Sequence, residues 1–263
     1  RLDLVTAYHG TGASFRKFDH KRIGAGEGVN VYGVGTYMGQ FFGTAKFYMN
    51  QEIRNKGLSK ANLVHVDHTV EPDEMLHWDV DVAQQPELIA ALNKLPKKWK
   101  KEILIIHNFS RKQDLNSSAY MAGIDNSSET YVDQNWDEYI NDITNASPVK
   151  GGQLYATMLT AVHNKHADAK AYLRNNKEYD WEEIGADYAV TDILSDIGIK
   201  GVSLEDAQTR DGGGYQGEAT YNFVIFDDKD VIVVGKNSSD NIQGRSLAVD
   251  PGTTRFSVAP KEP

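Results

Sequence analysis

The pattern of apolar and polar residues predicts β-strands towards both ends of the chain. Leu4–Tyr8 is a short apolar run, and Asn62–Val70 alternates in a way that is typical of a strand. This alternation places two sets of side chains on opposite faces: Leu63, His65 and Asp67 against Val64, Val66 and His68. Later strands are predicted at Lys200–Leu204, Thr220–Phe226 and Val231–Val234, and the last two are joined by a turn at Asp227–Asp230.

Helical periodicity fills most of the remaining chain. The predicted helices are Phe41–Asn55, Pro86–Leu95, Lys97–Asn108, Trp136–Thr144, about Gly152–Lys165, and Ala186–Ile197. We expect Gly198 to end the last helix, because glycine readily adopts the left-handed conformation of a helix C-terminus. The sequence therefore predicts an α+β domain over residues 1–235, with a helical insert or layer at residues 72–150. Residues 236–263, rich in Ser, Gly and Asn, are expected to form a flexible C-terminal linker.

Composition narrows the class of protein. Of the 263 residues, 40% are hydrophobic and 25% are charged, and the mean hydropathy is −0.51, as in a folded protein rather than a disordered one. The net charge of −9 argues against binding nucleic acid through a broad basic surface. Only Lys94–Lys101 is locally basic. We interpret it as a solvated helix start, with a local anion or RNA contact as the alternative.

Several kinds of site are excluded or disfavoured. The chain has no cysteine, which excludes disulfides, thiolate metal ligands and a cysteine nucleophile. His65 and His68 face opposite sides of their strand, and His163 and His166 have no nearby acidic partner. The aspartates of the 227–230 turn lack the glycine and the final glutamate of a calcium loop. We therefore expect no metal, and the lack of any run of about 18 apolar residues predicts no membrane partner.

One 40-residue unit carries the features that favour ligand chemistry. A strand leads into His9-Gly10-Thr11, a glycine-rich loop follows at Gly24–Gly35, and Tyr37 stands where the chain turns into a helix. Glycines let backbone amides approach phosphates or carboxamides closely. Tyr37 and Tyr48 are close enough along the chain to face one cleft and to hold a planar ring between them. Read alone, the two tyrosines fit ordinary half-buried aromatic residues better than a ligand slot. The glycines match neither the Walker A nor the G-x-G-x-x-G pattern.

These segments resemble the His-Tyr-Glu class of ADP-ribosyltransferases, which includes diphtheria toxin and the poly(ADP-ribose) polymerases. Within this class, their sequence pattern is most similar to that of the transferase domains in phage and prophage polyvalent proteins. The resemblance covers Val5–Tyr48 and Asp187–Val234 and leaves the helical middle without a specific motif. It rests on YHGT at 8–11, FD at 18–19, GAGEG at 24–28, YGVGTYM at 32–38, AKFY at 45–48 and FVIFD at 223–227. It implies an NAD+ cleft in a split core of two roughly perpendicular antiparallel sheets.

The resemblance also implies roles for individual residues in binding NAD+. His9 would hold the adenosine ribose, the backbone of Gly10 would clamp the nicotinamide carboxamide, and Thr11 completes this motif. Tyr37 and Tyr48 would enclose the nicotinamide. Ala45 stands where poly(ADP-ribose) polymerases usually carry a serine, so one carboxamide hydrogen bond would be lost. Lys21 and Arg22 lie where a cation could meet the NAD+ diphosphate, with plain surface charge as the alternative.

The third catalytic element of the class is a glutamate on a later strand. Aligning Phe223–Asp227 with that strand places Asn222, rather than a glutamate, at the catalytic position. Glu218 lies four residues earlier and would share a strand face with Thr220 and Asn222 if the strand extends that far. The alternatives are Glu218 as the working carboxylate, Asn222 as a weaker polar substitute, or an inactive enzyme.

The expected function is transfer of a single ADP-ribose from NAD+ to a macromolecule with release of nicotinamide. The expected catalytic residues are His9, Tyr37 and either Glu218 or Asn222. We expect a protein acceptor, with a nucleic acid as the alternative. The rival functions are NAD+ glycohydrolase and a catalytically weak NAD+-binding module. Because the chain begins at Arg1, we expect a piece of a longer polypeptide. It would act in the cytoplasm or be delivered into a host cell as part of a phage or effector protein.

Overall fold

The protein has an α+β fold, as the sequence predicts. The computed structural model describes residues 4–20, 31–122, 134–164, 185–207 and 220–239, with the backbone alone for residues 111–122. Seven strands form one sheet: β1 (Val5–Thr11), β2 (Thr36–Gly39), β3 (Asn62–His68), β4 (Met75–His77), β5 (Gly201–Glu205), β6 (Tyr221–Ile225) and β7 (Val231–Ser238). Every strand predicted from the sequence is present within a few residues. Two strands were not predicted: β2, at the position where we expected the chain to turn into a helix, and β4, which lies in the region expected to be helical.

Six α-helices accompany the sheet in the described part of the chain. They are α1 (Phe42–Lys56), α2 (Pro86–Leu92), α3 (Lys97–Ala122), α4 (Trp136–Asn141), α5 (Gly151–Asn164) and α6 (Ala186–Asp196). A π-helical turn, Asp142–Ala146, follows α4 directly. The left-handed Gly198, at φ 101°, follows α6 as expected. In these ranges, no helix combines the length and the apolar character that crossing a bilayer requires.

The strand order is β4-β5-β6-β2-β1-β3-β7. Neighbouring strands pair antiparallel except β4 and β5, which pair parallel. The prediction of an entirely antiparallel core is therefore wrong. Parallel neighbours need a long connection, and here the chain from His77 to Gly201 provides it. We also expected two separate sheets, whereas all seven strands are linked by hydrogen bonds into one.

The link between β1 and β2 is the narrowest in this sheet. Their ladder contains one residue pair, Tyr8 with Gly39, whereas β1 and β3 pair along seven residues from Val5 to Thr11. Continuing the β1–β2 register would set Gly10 opposite Tyr37, but the ladder does not reach that far. The sheet therefore consists of a four-strand part and a three-strand part that diverge beyond Tyr8.

Apolar side chains cover both faces of the sheet. One face carries a core to which most strands contribute: Val5, Ala7, Phe18, Met38, Val64, Val66, Val70, Met75, Phe223, Ile225 and Val231. On the other face, α1 packs Ala45 and Met49 against Tyr8 and Leu63. Strand alternation explains this division, because Ala7 and Tyr8 are neighbours that point to opposite sides.

The chain divides into two compact units, 1–79 with 194–263 and 80–193. All seven strands and α1 belong to the first unit. The second contains α2 to α5 and most of α6, so the helical region begins later than residue 72 and continues beyond residue 150. β7 extends to Ser238, past the expected start of the linker at residue 236. Residues 240–263 lie outside the described part.

His68 gives the first unit a predicted sensitivity to acid. The imidazole is fully buried, with its ring centroid 4.8 Å from that of Phe223, and burial lowers the pKa of His68 from 6.5 to about 4. The unfolded chain therefore binds a proton between these values while the folded one does not, and stability falls as the pH drops through this window. We expect the loss from this group to be about 2.5 kcal/mol between pH 7.5 and 4.5.

Urea unfolding at the two pH values, of the wild type and of His68→Leu, measures this effect. The loss of stability on acidification should be smaller in the variant by about that amount. Equal losses in the two proteins would show that His68 does not titrate as its burial implies.

Candidate functional site

A hydrogen bond between His9 and Tyr37 lies where β1 and β2 diverge. The Nδ1 atom of His9 is 2.6 Å from the backbone oxygen of Tyr37. The imidazole of His9 on β1 thus bonds to the backbone of β2, in place of a backbone–backbone hydrogen bond between the two strands. The rings of Phe15 and Phe18 lie beside the imidazole, with centroids 6.3 and 5.2 Å away, and hold it in place. His9 and Tyr37, which the sequence assigned to one site, are therefore in direct contact.

This hydrogen bond determines which nitrogen of His9 carries the proton. A carbonyl oxygen can only accept, so Nδ1 must donate to Tyr37. Burial lowers the pKa of His9, although the bond to Tyr37 and the charge of Glu52 oppose the shift. The ring is consequently neutral at neutral pH, and Nε2 is the unprotonated nitrogen. His9 therefore offers an acceptor, which suits a hydroxyl donor such as a sugar OH.

Gly10 is in close contact with the backbone of α1. A methyl group added at Gly10 would lie 2.6 Å from the amide nitrogen of Met49 and closer still to the carbonyl oxygen of Ala45. Only a residue without a side chain allows the strand and the helix to approach so closely. The structure thus brings Gly10 and Ala45 together, as the sequence assignment requires, and explains why position 10 needs glycine.

The ring of Tyr37 is fixed by its own turn. Its hydroxyl donates to the carbonyl oxygen of Gly33 at 2.7 Å and lies 3.3 Å from the amide nitrogen of Tyr32. The ring is half-buried, on the same sheet face as Gly39 and α1. A tyrosine anchored at its hydroxyl presents a rigid aromatic surface, which favours stacking against a planar group.

Tyr48 lies on α1, one turn after Ala45. Its side chain is 58% exposed, and its ring centroid is 5.6 Å from that of Phe47, which is also exposed. Exposed aromatic rings of this size can cover a ligand.

Thr11 is half-buried at the end of β1, where its hydroxyl oxygen accepts from the amide of Ala13 at 3.1 Å. This bond shapes the turn that follows His9 and Gly10.

Asn222 lies on β6, directly opposite Gly39 of β2. A methyl group at Gly39 would come within 2.7 Å of Oδ1 of Asn222, so the amide oxygen occupies the space over the glycine. Asn222 is half-buried and points to the sheet face that carries Tyr37 and α1. The strand register therefore places it on the same side of the sheet as the predicted nicotinamide slot.

Two buried polar residues beside Asn222 were not predicted from the sequence. The hydroxyl of Thr44 on α1 donates to the carboxylate of Asp206, and both residues are almost completely buried. Asp206 follows β5 directly, and its amide donates to the carbonyl oxygen of Thr220 at 2.8 Å. A polar residue at the end of an apolar strand was the available signal, but 162 positions separate it from its partner.

Glu52 is a further carboxylate that the sequence did not reveal. It lies one helical turn after Tyr48, accepts from the amide of Gly12 at 3.3 Å and forms an ion pair with Lys56 at 2.9 Å. Its charge acts on His9 and raises the pKa of that histidine against the effect of burial. Glu52 therefore ties the turn after His9 to the helix that carries Tyr48.

In comparisons with protein-family models, curated proteins and solved structures, nothing matched this chain. The functional assignment depends on the residues alone.

Two of the predicted site residues, Arg22 and Glu218, lie outside the described residues, so their proposed roles remain predictions. Across the ranges that the structure describes, no three His, Asp or Glu side chains come together as metal ligands. The predicted site residues within the described ranges are His9, Gly10, Thr11, Tyr37, Ala45, Tyr48 and Asn222, all in the first unit. By strand alternation the side chain of His9 lies on the sheet face of Ala7 and Phe18, whereas Tyr37 and Asn222 lie on the face of α1.

Proposed function

We propose that this chain transfers ADP-ribose from NAD+ to a macromolecular acceptor, most simply a protein, and releases nicotinamide. The observation that carries the proposal is the bond from His9 Nδ1 to the Tyr37 carbonyl, at the point where β1 and β2 diverge. It joins two residues of the ADP-ribosyltransferase motif and leaves Nε2 of His9 as an acceptor for a ribose hydroxyl. Gly10 lies beside them against α1.

The sheet also supports a correspondence with the split core of ADP-ribosyltransferases. Four strands and three strands meet at the single pair of Tyr8 and Gly39. In our proposal the divergence beyond this pair is the cleft for nicotinamide, with the backbone of Gly10 on one side and the ring of Tyr37 on the other. Tyr48, exposed on α1, would close over the ring when NAD+ binds.

In the proposed reaction, the bond between ribose C1′ and the nicotinamide nitrogen breaks, and its electron pair neutralises the pyridinium. Positive charge develops on the ribose, and a lone pair of the acceptor forms the new bond at C1′ while the acceptor loses a proton. His9 and Tyr37 hold the two ends of the dinucleotide so that C1′ is open to attack. An anion near C1′ would stabilise charge that appears only in the transition state.

The proposal is tested with NAD+ that is labelled on the adenosine moiety, incubated with the protein and a cell lysate. Transfer predicts nicotinamide release together with label on macromolecules, and protease or nuclease treatment then distinguishes a protein acceptor from a nucleic acid. Free ADP-ribose without labelled macromolecules would support the alternative, an NAD+ glycohydrolase. Binding of NAD+ without nicotinamide release would support a non-catalytic NAD+-binding module.

Paired substitutions identify the residue that acts on the ribose. We expect Glu218→Ala to lower nicotinamide release by about 100-fold if Glu218 supplies the anion, because a preorganised charge is typically worth that much. Asn222→Ala should then have an effect about tenfold smaller, since an amide supplies a hydrogen bond without charge. If neither variant changes the rate, both assignments are wrong.

A further inference from the structure

The Asp206 carboxylate lies next to Asn222 in the sheet. Leu204 of β5 pairs with Asn222 of β6, and the amide of Asp206 bonds to Thr220. Asp206 and Asn222 are thus diagonal neighbours on adjacent antiparallel strands and point to the same face. Such neighbours are typically about 7–8 Å apart. At this separation, a carboxylate in the protein interior exerts a substantial electrostatic effect on charges near Asn222.

Thr44 holds this carboxylate in place. It is the third residue of α1, and the first turn of that helix has neither a side-chain cap nor an acidic residue of its own. Asp206 therefore brings a negative charge to the positive end of the helix from a distant part of the chain. At 1% exposure for Asp206 and 5% for Thr44, the pair is shielded from water and rigidly held.

The same pair borders the space that Asn222 occupies. The position of a methyl group at Gly39 would be 2.7 Å from Oδ1 of Asn222 and 3.7 Å from Cβ of Thr44. Asn222 and Thr44 therefore both border the space over Gly39, on the face that carries Tyr37. Asn222 is half-buried and can reach a ligand there, whereas Asp206 is almost completely buried.

We infer that Asp206 is a positioning residue that supplies, through Thr44 and Asn222, the negative charge that Asn222 itself lacks. The inference rests on the proposed function, because it concerns the positive charge on the ribose as nicotinamide leaves. The carboxylate does not touch the substrate. It acts on the transition state more than on bound NAD+, and its removal should therefore change kcat rather than KM.

Nicotinamide release from NAD+ by the full chain tests this inference. Asp206→Asn keeps the shape and removes the charge, and it should lower kcat by roughly 10- to 100-fold with KM for NAD+ within about twofold. Thr44→Val removes the hydrogen bond from the hydroxyl to the carboxylate and should lower kcat by about tenfold, while the matched control Thr44→Ser keeps the hydroxyl and wild-type kcat. If Asp206→Asn does not fold, Thr44→Val against Thr44→Ser decides alone.

A variant that moves the carboxylate from position 206 to position 222 distinguishes an electrostatic role of Asp206 from a structural role in supporting α1. Asn222→Asp combined with Asp206→Asn restores one carboxylate at the front of the site and should recover most of the lost kcat. A purely structural role predicts no such recovery, and wild-type kcat in both Asp206→Asn and Thr44→Val would overturn the inference. If the wild type itself releases no nicotinamide, the proposed function fails, which is a different result from an active wild type that is insensitive to Asp206.

Discussion

Replacing His9 with alanine should lower kcat/KM for NAD+ by about 100-fold. The substitution removes the acceptor for a ribose hydroxyl and also leaves the Tyr37 carbonyl without the donor it has in the folded protein. Each lost hydrogen bond is worth about 1–3 kcal/mol, and about 1.4 kcal/mol corresponds to a tenfold change. Kinetics of nicotinamide release, with NAD+ affinity from calorimetry, measures the effect.

His163→Ala is the matched control, because His163 is an exposed histidine on α5 in the second unit. It should keep wild-type kinetics. Thermal unfolding of both variants shows whether a loss of activity comes from loss of fold. A folded His9→Ala protein with wild-type kcat/KM would remove His9 from the site.

Gly10→Ala should destabilise the protein by about 3 kcal/mol. The added methyl group would overlap the backbone of α1 at Ala45 and Met49, and neither contact is a flexible side-chain end that could move aside. Overpacking against a fixed backbone costs about 1–3 kcal/mol and sometimes more. Chemical denaturation measures the free energy of unfolding.

Gly235→Ala provides the control for this substitution. A methyl group there would have its nearest neighbour, Cβ of His65, at 4.0 Å, so we expect a change within about 0.5 kcal/mol. Equal stabilities of the Gly10→Ala and Gly235→Ala variants would contradict the close approach of β1 and α1. A loss of stability in Gly10→Ala would also reduce NAD+ binding, because the helix carrying Tyr48 would be displaced.

The sequence predicts the elements of this fold better than their arrangement. Alternation identifies β3, and the left-handed glycine after α6 is confirmed at Gly198. β2 and β4 were missed because four residues, Thr36–Gly39, and three residues, Met75–His77, are too few to show alternation. The parallel pairing of β4 with β5 depends on contacts across more than a hundred residues, which local periodicity does not encode.

For the candidate site too, the sequence predicts individual residues better than their spatial arrangement. Most of its motif residues lie within one 40-residue unit, and the resemblance assigned His9 and Tyr37 to one site. The hydrogen bond between them brings these two residues together. Asn222 could be placed beside them only by resemblance to a family strand. The pairing of Thr44 with Asp206 joins a helix start to a strand end, and neither residue belongs to a motif.

A crystal structure with NAD+ bound would locate the dinucleotide relative to His9, Gly10 and Tyr37. We expect the nicotinamide against the ring of Tyr37, its carboxamide on the backbone of Gly10, and a ribose hydroxyl within hydrogen-bond distance of His9 Nε2. Asn222 should then be the described side chain of β6 that faces the nicotinamide ribose. NAD+ bound elsewhere on the protein, with the space between His9, Gly10 and Tyr37 filled only by solvent, would contradict this expectation.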